Sequence, residues 1–341
     1  MNVLHSTSEK AIFPIFRPIS MTQMRYLTCF MLIMASALHA QNPFDRAVIL
    51  FEDAQYEEAG SLFQSHLKNY PKDAKTREYL GDIAAYQKDW DGALEWYGPL
   101  VEENDQSANY HYKYGGSLAM KALEVNKFKA LGYISDIKYH FGKAAELDSS
   151  HIDVRWALVE FYMQLPGIIG GSERKSKSYA DQLMKISPVD GHLSHGYIAE
   201  YSDRPKDAEY HYKKAIDIGG SMLTYEKLTS FYENNDRPNE AINNATRSLE
   251  IHQRNQLNYQ IGKIAAQYNL KSDLGIQCLH AYIENHSAKD GVPKDWAYFR
   301  LAQIHKNKGQ KNQALEWIDK ALEDRPDFKE ARQEKAIILA L

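Results

Sequence analysis

The chain contains very little cysteine, and this scarcity limits both its redox chemistry and its class. Only Cys29 and Cys278 occur among 341 residues, and Cys29 lies in an apolar run near the N-terminus. If that run is removed in the mature protein, Cys278 remains alone and no intramolecular disulfide can form. This scarcity argues against a disulfide-stapled extracellular module, because such modules carry several cysteines in a short chain.

The sequence also lacks the short motifs that carry common catalytic and metal chemistry. It has no His-Glu-x-x-His, no Cys-x-x-Cys, no EF-hand loop and no Gly-x-Ser-x-Gly elbow. His192 and His195 have the spacing of two helical metal ligands, but no third ligand is evident. We therefore predict a protein that is not an enzyme, with no catalytic residues, no metal and no cofactor.

A strongly basic character and a membrane-spanning run are missing as well. The net charge is −4, which argues against a nucleic-acid partner, because such proteins usually show a basic stripe. No apolar run beyond residue 40 approaches the ~20 residues that a membrane helix needs. We expect no nucleic-acid partner and no membrane span in the mature chain, while its oligomeric state stays open.

The first 40 residues have the layout of an exported precursor. Arg25 precedes an apolar run, and small residues follow at Ala37 and Ala40. This pattern predicts a signal peptide over 21–40, cleaved after Ala37 or Ala40, behind a polar leader over 1–20. The alternative interpretation is a buried N-terminal helix.

Export would also change the charge and the expected location of the protein. If Met21 or Met24 is the true start, the leader over 1–20 is not translated. Removal of residues 1–40 takes away three basic residues and one acid, which makes the net charge −6. A cysteine-poor exported chain fits a bacterial periplasm or a secreted bacterial protein.

What the sequence does contain is one pattern written about eight times. A large residue, a small residue and a ring are followed by a short polar turn. Then come an alanine, a bulky residue four positions later and another small residue three positions after that. The copies lie mostly about 33 or 34 residues apart, which is the period of a stacked helical hairpin.

The pattern resembles the tetratricopeptide repeat, in which each conserved letter has a packing role. Small residues let neighbouring helices approach closely: Gly81, Gly196, Gly262 and Ala302. Alanines open the second helix at its tightest crossing: Ala59, Ala93, Ala208, Ala241 and Ala314. Bulky residues fill the space between repeats: Phe63, Tyr97, Phe141, Tyr212 and Ile318. Prolines end the second helix: Pro71, Pro188 and Pro326.

The resemblance implies an all-α, right-handed α-solenoid over 41–341, with about eight hairpins and a C-terminal capping helix. We place the hairpins at 42–71, 74–105, 107–149, 151–188, 189–220, 222–253, 255–286 and 295–326, and the capping helix at 328–340. The third hairpin carries an insertion near Phe128, and the fourth carries one from Pro166 to Ser172. The second insertion could hold an anion at a helix N-terminus, but we favour a turn in which Ser172 caps the helix.

In such a solenoid the first helices of the hairpins form a concave wall, and its variable positions decide what binds. These positions collect eight aromatic and eight acidic residues against three basic ones. The predicted partner-binding residues of this groove are Tyr112, Trp156, Glu160, Tyr197, Glu200, Glu226, Tyr259, Trp296 and Phe299. The family members that clamp a carboxylate tail use Lys and Asn here, so this chain departs from that pattern.

An aromatic, acidic groove suits an apolar or cationic segment of a protein partner. Alternatively, some of these rings pack between repeats and the acids merely solvate the surface. We expect a non-enzymatic interaction scaffold. Two other functions remain open: a structural component of a cell-envelope assembly, and a regulatory or delivery subunit of an envelope enzyme.

Overall fold

The computed structural model describes residues 42–341, in which every regular element is a helix. The predicted leader over 1–20 and the predicted signal peptide over 21–40 lie outside the described residues. The first helices in chain order are α1 Pro43–Glu52, α2 Tyr56–Asn69, α3 Ala74–Tyr86, α4 Trp90–Glu103, α5 Ala108–Glu124, α6 Lys127–Leu131, α7 Ile134–Leu147, α8 Ile152–Gln164 and α9 Glu173–Ile186. They are followed by α10 Pro188–Tyr201, α11 Pro205–Gly219, α12 Met222–Asn234, α13 Pro238–His252, α14 Asn255–Tyr268, α15 Ser272–Glu284, α16 Lys294–Asn307, α17 Lys311–Asp324 and α18 Lys329–Leu339.

These helices form consecutive antiparallel hairpins, in agreement with the predicted all-α class. The contacts are densest between the two helices of one hairpin, such as α10 with α11 and α16 with α17. The eighth hairpin, formed by α16 and α17, is called hairpin 8. The last helix, α18, packs on it as the predicted C-terminal helix. None of the helices within residues 42–341 is both long and apolar enough to cross a membrane.

The chain divides into two compact units, each with its own packing. The first comprises the described part of 1–105 together with 117–131, and its core surrounds Phe63 and Leu80. The second comprises 106–116 and 132–341, with buried clusters around Tyr212, Ile198 and Phe328. That residues 41–341 form one continuous solenoid stays a prediction.

The repeated letters occupy the packing positions that the pattern assigns to them. The five alanines that open second helices are fully buried, and the five bulky residues are at most 4% exposed. Gly196 shows why a small residue is needed, because a Cβ there would lie 2.7 Å from the ring of Tyr212. Gly81 meets the ring of Tyr97 in the same way. Larger residues at these glycines would force the two helices of a hairpin apart.

Local signals define where the helices begin and how the hairpins turn. The side chains of Asp73, Asp89 and Ser221 cap helices by accepting a hydrogen bond from a backbone N–H. Several turns inside hairpins share one left-handed residue at the same place: Ala54, Lys88, Asp203, Asp236 and Gly309, with φ between 52° and 73°. A repeated backbone geometry thus closes hairpins whose turn sequences differ.

The insertion in the fourth hairpin has the structural role that we favoured. Residues Gly167–Ile169 form a single 3₁₀ turn, and Gly170 adopts a φ of 110°. The hydroxyl of Ser172 accepts a hydrogen bond from the backbone N–H of Lys175 at 3.3 Å and caps α9. The glycines therefore turn the chain into the helix.

Candidate functional site

The predicted binding residues lie on the first helices of the hairpins, and we call the face that carries them the wall. Within the second unit, α8, α10 and α12 contact one another in turn, and so do α14, α16 and α18. We call α8, α10 and α12, together with Tyr112 of α5, the central wall. We call α14 and α16 the distal wall. The predicted site residues Tyr112, Trp156, Glu160, Tyr197, Glu200 and Glu226 belong to the first, and Tyr259, Trp296 and Phe299 to the second.

In the central wall, two hydrogen bonds join α8 to α10. The indole N–H of Trp156 donates to the carboxylate of Asp190 at 2.9 Å. Two turns further along α8, the amide of Gln164 donates to the hydroxyl of Tyr197 at 3.3 Å. Residues spaced by four lie on one face of a helix, so Glu160 stands between these two bridges.

Glu160 is exposed to water, yet its surroundings disfavour its charge. Loss of hydration raises the pKa of Glu160, and the positive charge of Lys227 on α12 only partly opposes this. Glu160 therefore stands at the surface of α8, with part of its hydration displaced by neighbouring groups. No hydrogen bond or ion pair to Glu160 is formed within residues 42–341.

Two tyrosines flank this carboxylate along the wall. Tyr112 packs its ring 4.9 Å from His151 and 6.2 Å from Phe141. Burial raises the pKa of its hydroxyl, and the nearby charges of Asp153 and Glu160 add to the effect. Burial likewise raises the pKa of the Tyr197 hydroxyl, and the negative charge of Glu160 raises it further. The structure therefore brings together Tyr112, Glu160 and Tyr197 from three consecutive first helices.

The other two predicted acids of the central wall differ in their availability. Glu200 accepts hydrogen bonds from the hydroxyl of Tyr212 at 2.7 Å and from the amide of Asn234 at 3.0 Å. It holds α10 to α11 and α12, so much of its hydrogen-bonding capacity is used inside the fold. Glu226 is exposed on α12 and keeps its carboxylate in solvent.

The distal wall uses its aromatic residues for packing. Phe299 is 5% exposed, and its ring lies 5.3 Å from that of Phe328. Trp296 packs against Phe328 at 4.6 Å and is covered by the guanidinium of Arg325 at 5.3 Å. Helix α18 thus takes the place of a next first helix. Phe299 is buried by this packing, and Trp296 is partly covered by Phe328 and Arg325.

Tyr259, the third predicted residue of the distal wall, is half-buried beside a cation. Its ring lies 5.4 Å from that of Tyr282. Burial raises the pKa of its hydroxyl, while the charge and hydrogen bond of Arg300 lower it. Arg300 also lies over the ring of Phe299 at 5.2 Å. Sequence reasoning missed Arg300, although it directly precedes the repeat's large residue.

Several acids counted in the wall are neutralised or bonded by neighbours. Glu233 pairs with Lys263 at 3.1 Å, and Tyr97 donates its hydroxyl to Asp82 at 2.5 Å in the first unit. Lys227, which also precedes a large repeat residue, adds a positive charge that the sequence tally left out. The acidic excess predicted for the whole wall is therefore concentrated at the exposed Asp153, Glu160 and Glu226.

Comparison with known families identifies the repeat. A sequence model of the tetratricopeptide repeat matches residues 297–328. These residues cover most of α16, all of α17 and the buried ring of Phe328, and the preceding hairpins repeat the same packing. This chain contains a tetratricopeptide repeat.

Solved structures of other tetratricopeptide repeat (TPR) proteins resemble this TPR chain at low identity. YrrB, described as a TPR protein with an unusual peptide-binding site, is 18% identical; the match covers 57% of this chain and 97% of YrrB, with a TM-score of 0.41. A thermophilic TPR protein of Thermus thermophilus is 16% identical, over 71% and 98% of the two chains, with a TM-score of 0.38. A TPR protein of Parabacteroides merdae is 10% identical, over 87% and 97%, with a TM-score of 0.48. The comparison with curated proteins found no match.

The thiol of this TPR protein is buried, and three of its histidines have polar partners. Cys278 is 3% exposed, and burial raises its pKa to about 11, so its thiol stays protonated at neutral pH. His192 shares a hydrogen bond with His211 at 3.0 Å, and His195 meets Asp181 at 3.0 Å. Among residues 42–341, no three His, Cys, Asp or Glu side chains are grouped as a metal site requires.

Proposed function

We propose that this TPR protein is a non-enzymatic scaffold whose central wall binds a segment of a protein partner. Stacked repeats offer an extended surface made of first helices, which suits a peptide or a helix of another protein. The observation that carries the proposal is the grouping of Tyr112, Glu160 and Tyr197. Glu160 is exposed and the two tyrosines are only partly buried, whereas Phe299 is buried against Phe328 and Trp296 packs on the same ring.

The chemistry of the central wall favours an apolar or cationic segment. Half-buried tyrosine rings supply contact area at a low cost in conformational entropy. Exposed carboxylates at Glu160, Glu226 and Asp153 attract positive charge and repel acidic segments. A carboxylate-terminated peptide would meet this negative surface and be disfavoured.

Capture of a partner by wall variants tests this proposal. The variants Trp156→Ala and Tyr197→Ala should lose the partner that the native protein captures, while circular dichroism shows unchanged helical content. Tyr210→Ala is a matched control, because Tyr210 is 56% exposed on the second helix α11. Capture that survives both wall substitutions would contradict the proposal.

A second function, a structural part of a cell-envelope assembly, is favoured by one observation. Helix α18 and the residues after it expose large apolar side chains: Ile337 is 51%, Leu339 is 55% and Leu341 is 67% exposed. Such side chains are common anchors of protein interfaces. If Ile337→Asp with Leu339→Asp abolishes capture and the wall variants do not, this second function is the correct one. A regulatory or delivery subunit would instead co-purify with an enzymatic activity.

The proposed scaffold works outside the cytoplasm, in the periplasm or as a secreted protein. The proposal depends on the signal-peptide pattern over 21–40 and on the lone Cys278 of the mature chain. N-terminal sequencing of the protein from the periplasmic or culture fraction would test it. The mature chain should begin at Leu38 or Gln41. An uncleaved chain in the cytoplasmic fraction would contradict the assignment.

A further inference from the structure

The position of Glu160 in the repeat is usually satisfied by a neighbour. The equivalent residues in other hairpins include Asp82, Tyr197, Lys263 and Gln303. Asp82 accepts from Tyr97 at 2.5 Å, and Tyr197 accepts from Gln164 at 3.3 Å. Lys263 pairs with Glu233 at 3.1 Å, and Gln303 accepts from Arg300 at 2.8 Å. Glu160 forms no such bond within the described residues, and its exposed carboxylate lies between the two bridges that join α8 to α10.

The polar neighbours of Glu160 on α8 form their hydrogen bonds with other residues. On its own helix, Trp156 is turned to Asp190 and Gln164 to Tyr197, one turn away on either side. Lys227 on α12 contributes only longer-range attraction. The carboxylate therefore carries the cost of partial desolvation without a cation in contact, which is the arrangement that an incoming positive charge would relieve.

We propose that Glu160 anchors a lysine or arginine side chain of the bound partner segment, with the rings of Tyr112 and Tyr197 on either side of its aliphatic stem. This inference rests on the proposed function and names the chemistry of the partner at one point of the central wall. A charge-assisted hydrogen bond to the carboxylate supplies specificity. The tyrosine rings supply cation–π attraction and cover the stem of the side chain.

Lys227 acts in this proposal as a competing cation. Its positive charge, on α12, partly opposes the raised pKa of Glu160. The carboxylate of Glu160 attracts both Lys227 and a cation of the partner, and these two cations repel each other. Removal of Lys227 should therefore strengthen binding of a cationic peptide. Substitutions of Glu160 on α8 and of Lys227 on α12 thus have opposite expected effects, which a loss of folding would not produce.

A phage-displayed library of random dodecamers, selected on the native protein, provides the probe. Peptides whose binding depends on Tyr197 should be enriched in lysine or arginine at one position. For the best peptide, replacement of that arginine by citrulline keeps the shape and removes the charge. This replacement should weaken binding to the native protein about tenfold, as expected for a partly desolvated charge pair.

The same peptide pair measured on variants isolates the contact in a double-mutant cycle. On Glu160→Gln, arginine and citrulline peptides should bind within about twofold of each other, and Lys227→Gln should strengthen the arginine peptide. Glu146→Gln, an exposed carboxylate on α7, is the matched control and should behave as the native protein. If the citrulline effect is as large on Glu160→Gln as on the native protein, the anchor is wrong.

The outcomes separate this inference from the proposed function. Selected peptides that bind Tyr197→Ala as well as the native protein would overturn both, because they do not use the central wall. Peptides that require Tyr197 but show no preference for lysine or arginine would overturn the anchor alone. Cation enrichment that disappears in a selection on Glu160→Gln, with apolar peptides still recovered, would support it.

Discussion

The central and distal walls occupy the same positions of the same repeat but differ in what remains available to a partner. In the distal wall, Phe299 and Trp296 pack against Phe328, and Lys306 pairs with Glu334 of α18 at 2.7 Å. In the central wall, Glu160 has no contacting cation among the described residues, and the ring of Tyr197 is only half-buried. The aromatic residues of the distal wall thus serve packing against Phe328, whereas Glu160 and Tyr197 of the central wall keep part of their surface in solvent, which is why we propose binding there.

The largest expected effect comes from breaking the packing of the distal wall. Phe328→Ala removes a ring that is 2% exposed and contacts both Trp296 and Phe299. We expect the free energy of unfolding of hairpin 8 to fall by about 3–5 kcal/mol, measured by hydrogen exchange. Partner binding by the central wall should be retained.

Phe128→Ala is the matched control for this substitution. Phe128 is 89% exposed on α6, so its truncation should change stability by less than about 0.5 kcal/mol. If the two phenylalanine variants have similar stability, the packing assigned to the distal wall is wrong.

The next largest expected effect is a difference in acid sensitivity between hairpin 5, formed by α10 and α11, and hairpin 8. Burial and the nearby charges of His195 and His192 lower the pKa of His211 to about 4, and burial also lowers the pKa of His192. Asp207 opposes the shift of His211, and Lys214 adds to that of His192. The neutral imidazoles are favoured in the fold, so their stabilisation is complete above pH ~6.5 and is lost as the pH falls towards 4.

The measurement is hydrogen exchange as a function of pH. Hairpin 5 should lose roughly 2 kcal/mol of protection between about pH 6.5 and 4, beyond any loss in hairpin 8. His211→Gln should flatten this pH dependence, because it removes the hydrogen-bonded pair of His192 and His211. Equal acid sensitivity of the two hairpins would contradict the role assigned to the histidines.

The turns of the hairpins offer a smaller contrast. Hairpin 8 turns at Gly309 with a φ of 73°, whereas hairpin 5 turns at Asp203 with a φ of 54°. Gly309→Ala should destabilise its hairpin by about 1 kcal/mol, because a Cβ strains this conformation. Asp203→Gly should be nearly neutral or slightly stabilising, since Asp tolerates it. Thermal unfolding of both variants checks the difference, and a neutral Gly309→Ala would contradict it.

The smallest effects compare a paired acid with Glu160. Glu233→Gln removes a half-buried ion pair with Lys263 and should cost about 0.5–1 kcal/mol. Glu160→Gln should instead raise stability by a few tenths of a kcal/mol, because it removes a charge that the fold disfavours and that water partly screens. Denaturant titration of both variants tests this opposition of sign. Destabilisation by both would show that Glu160 has a partner in the native fold.

The packing of this TPR chain could be predicted from its sequence, because the repeat letters specify contacts inside and between neighbouring hairpins. Ala208, Tyr212 and Gly196 lie where the pattern requires. The wall was predicted less well, because its side chains are decided by partners that the repeat does not encode. Glu200 accepts a hydrogen bond from Tyr212, one of the bulky packing residues of the repeat, and Phe299 packs against Phe328 at the start of α18.

The grouping of Tyr112, Glu160 and Tyr197 was predictable, since all three follow from the register of consecutive first helices. Lys227 and Arg300 were missed because they directly precede the large residue of the repeat, a place that the pattern assigns to neither packing nor the wall. Long basic side chains reach the wall from there, and this changes its charge. The charge of a TPR surface therefore has to be counted with these neighbouring positions.

Site-specific photo-crosslinking tests the central claim most directly. A photoreactive phenylalanine analogue would replace Glu226 in the central wall, Gln303 in the distal wall or Tyr210 on a second helix, one at a time. One partner protein is expected to crosslink at position 226, much less at 303 and not at 210, and Tyr197→Ala should remove the crosslink. Crosslinking of the partner at position 210 or 303 without crosslinking at 226 would contradict the central claim.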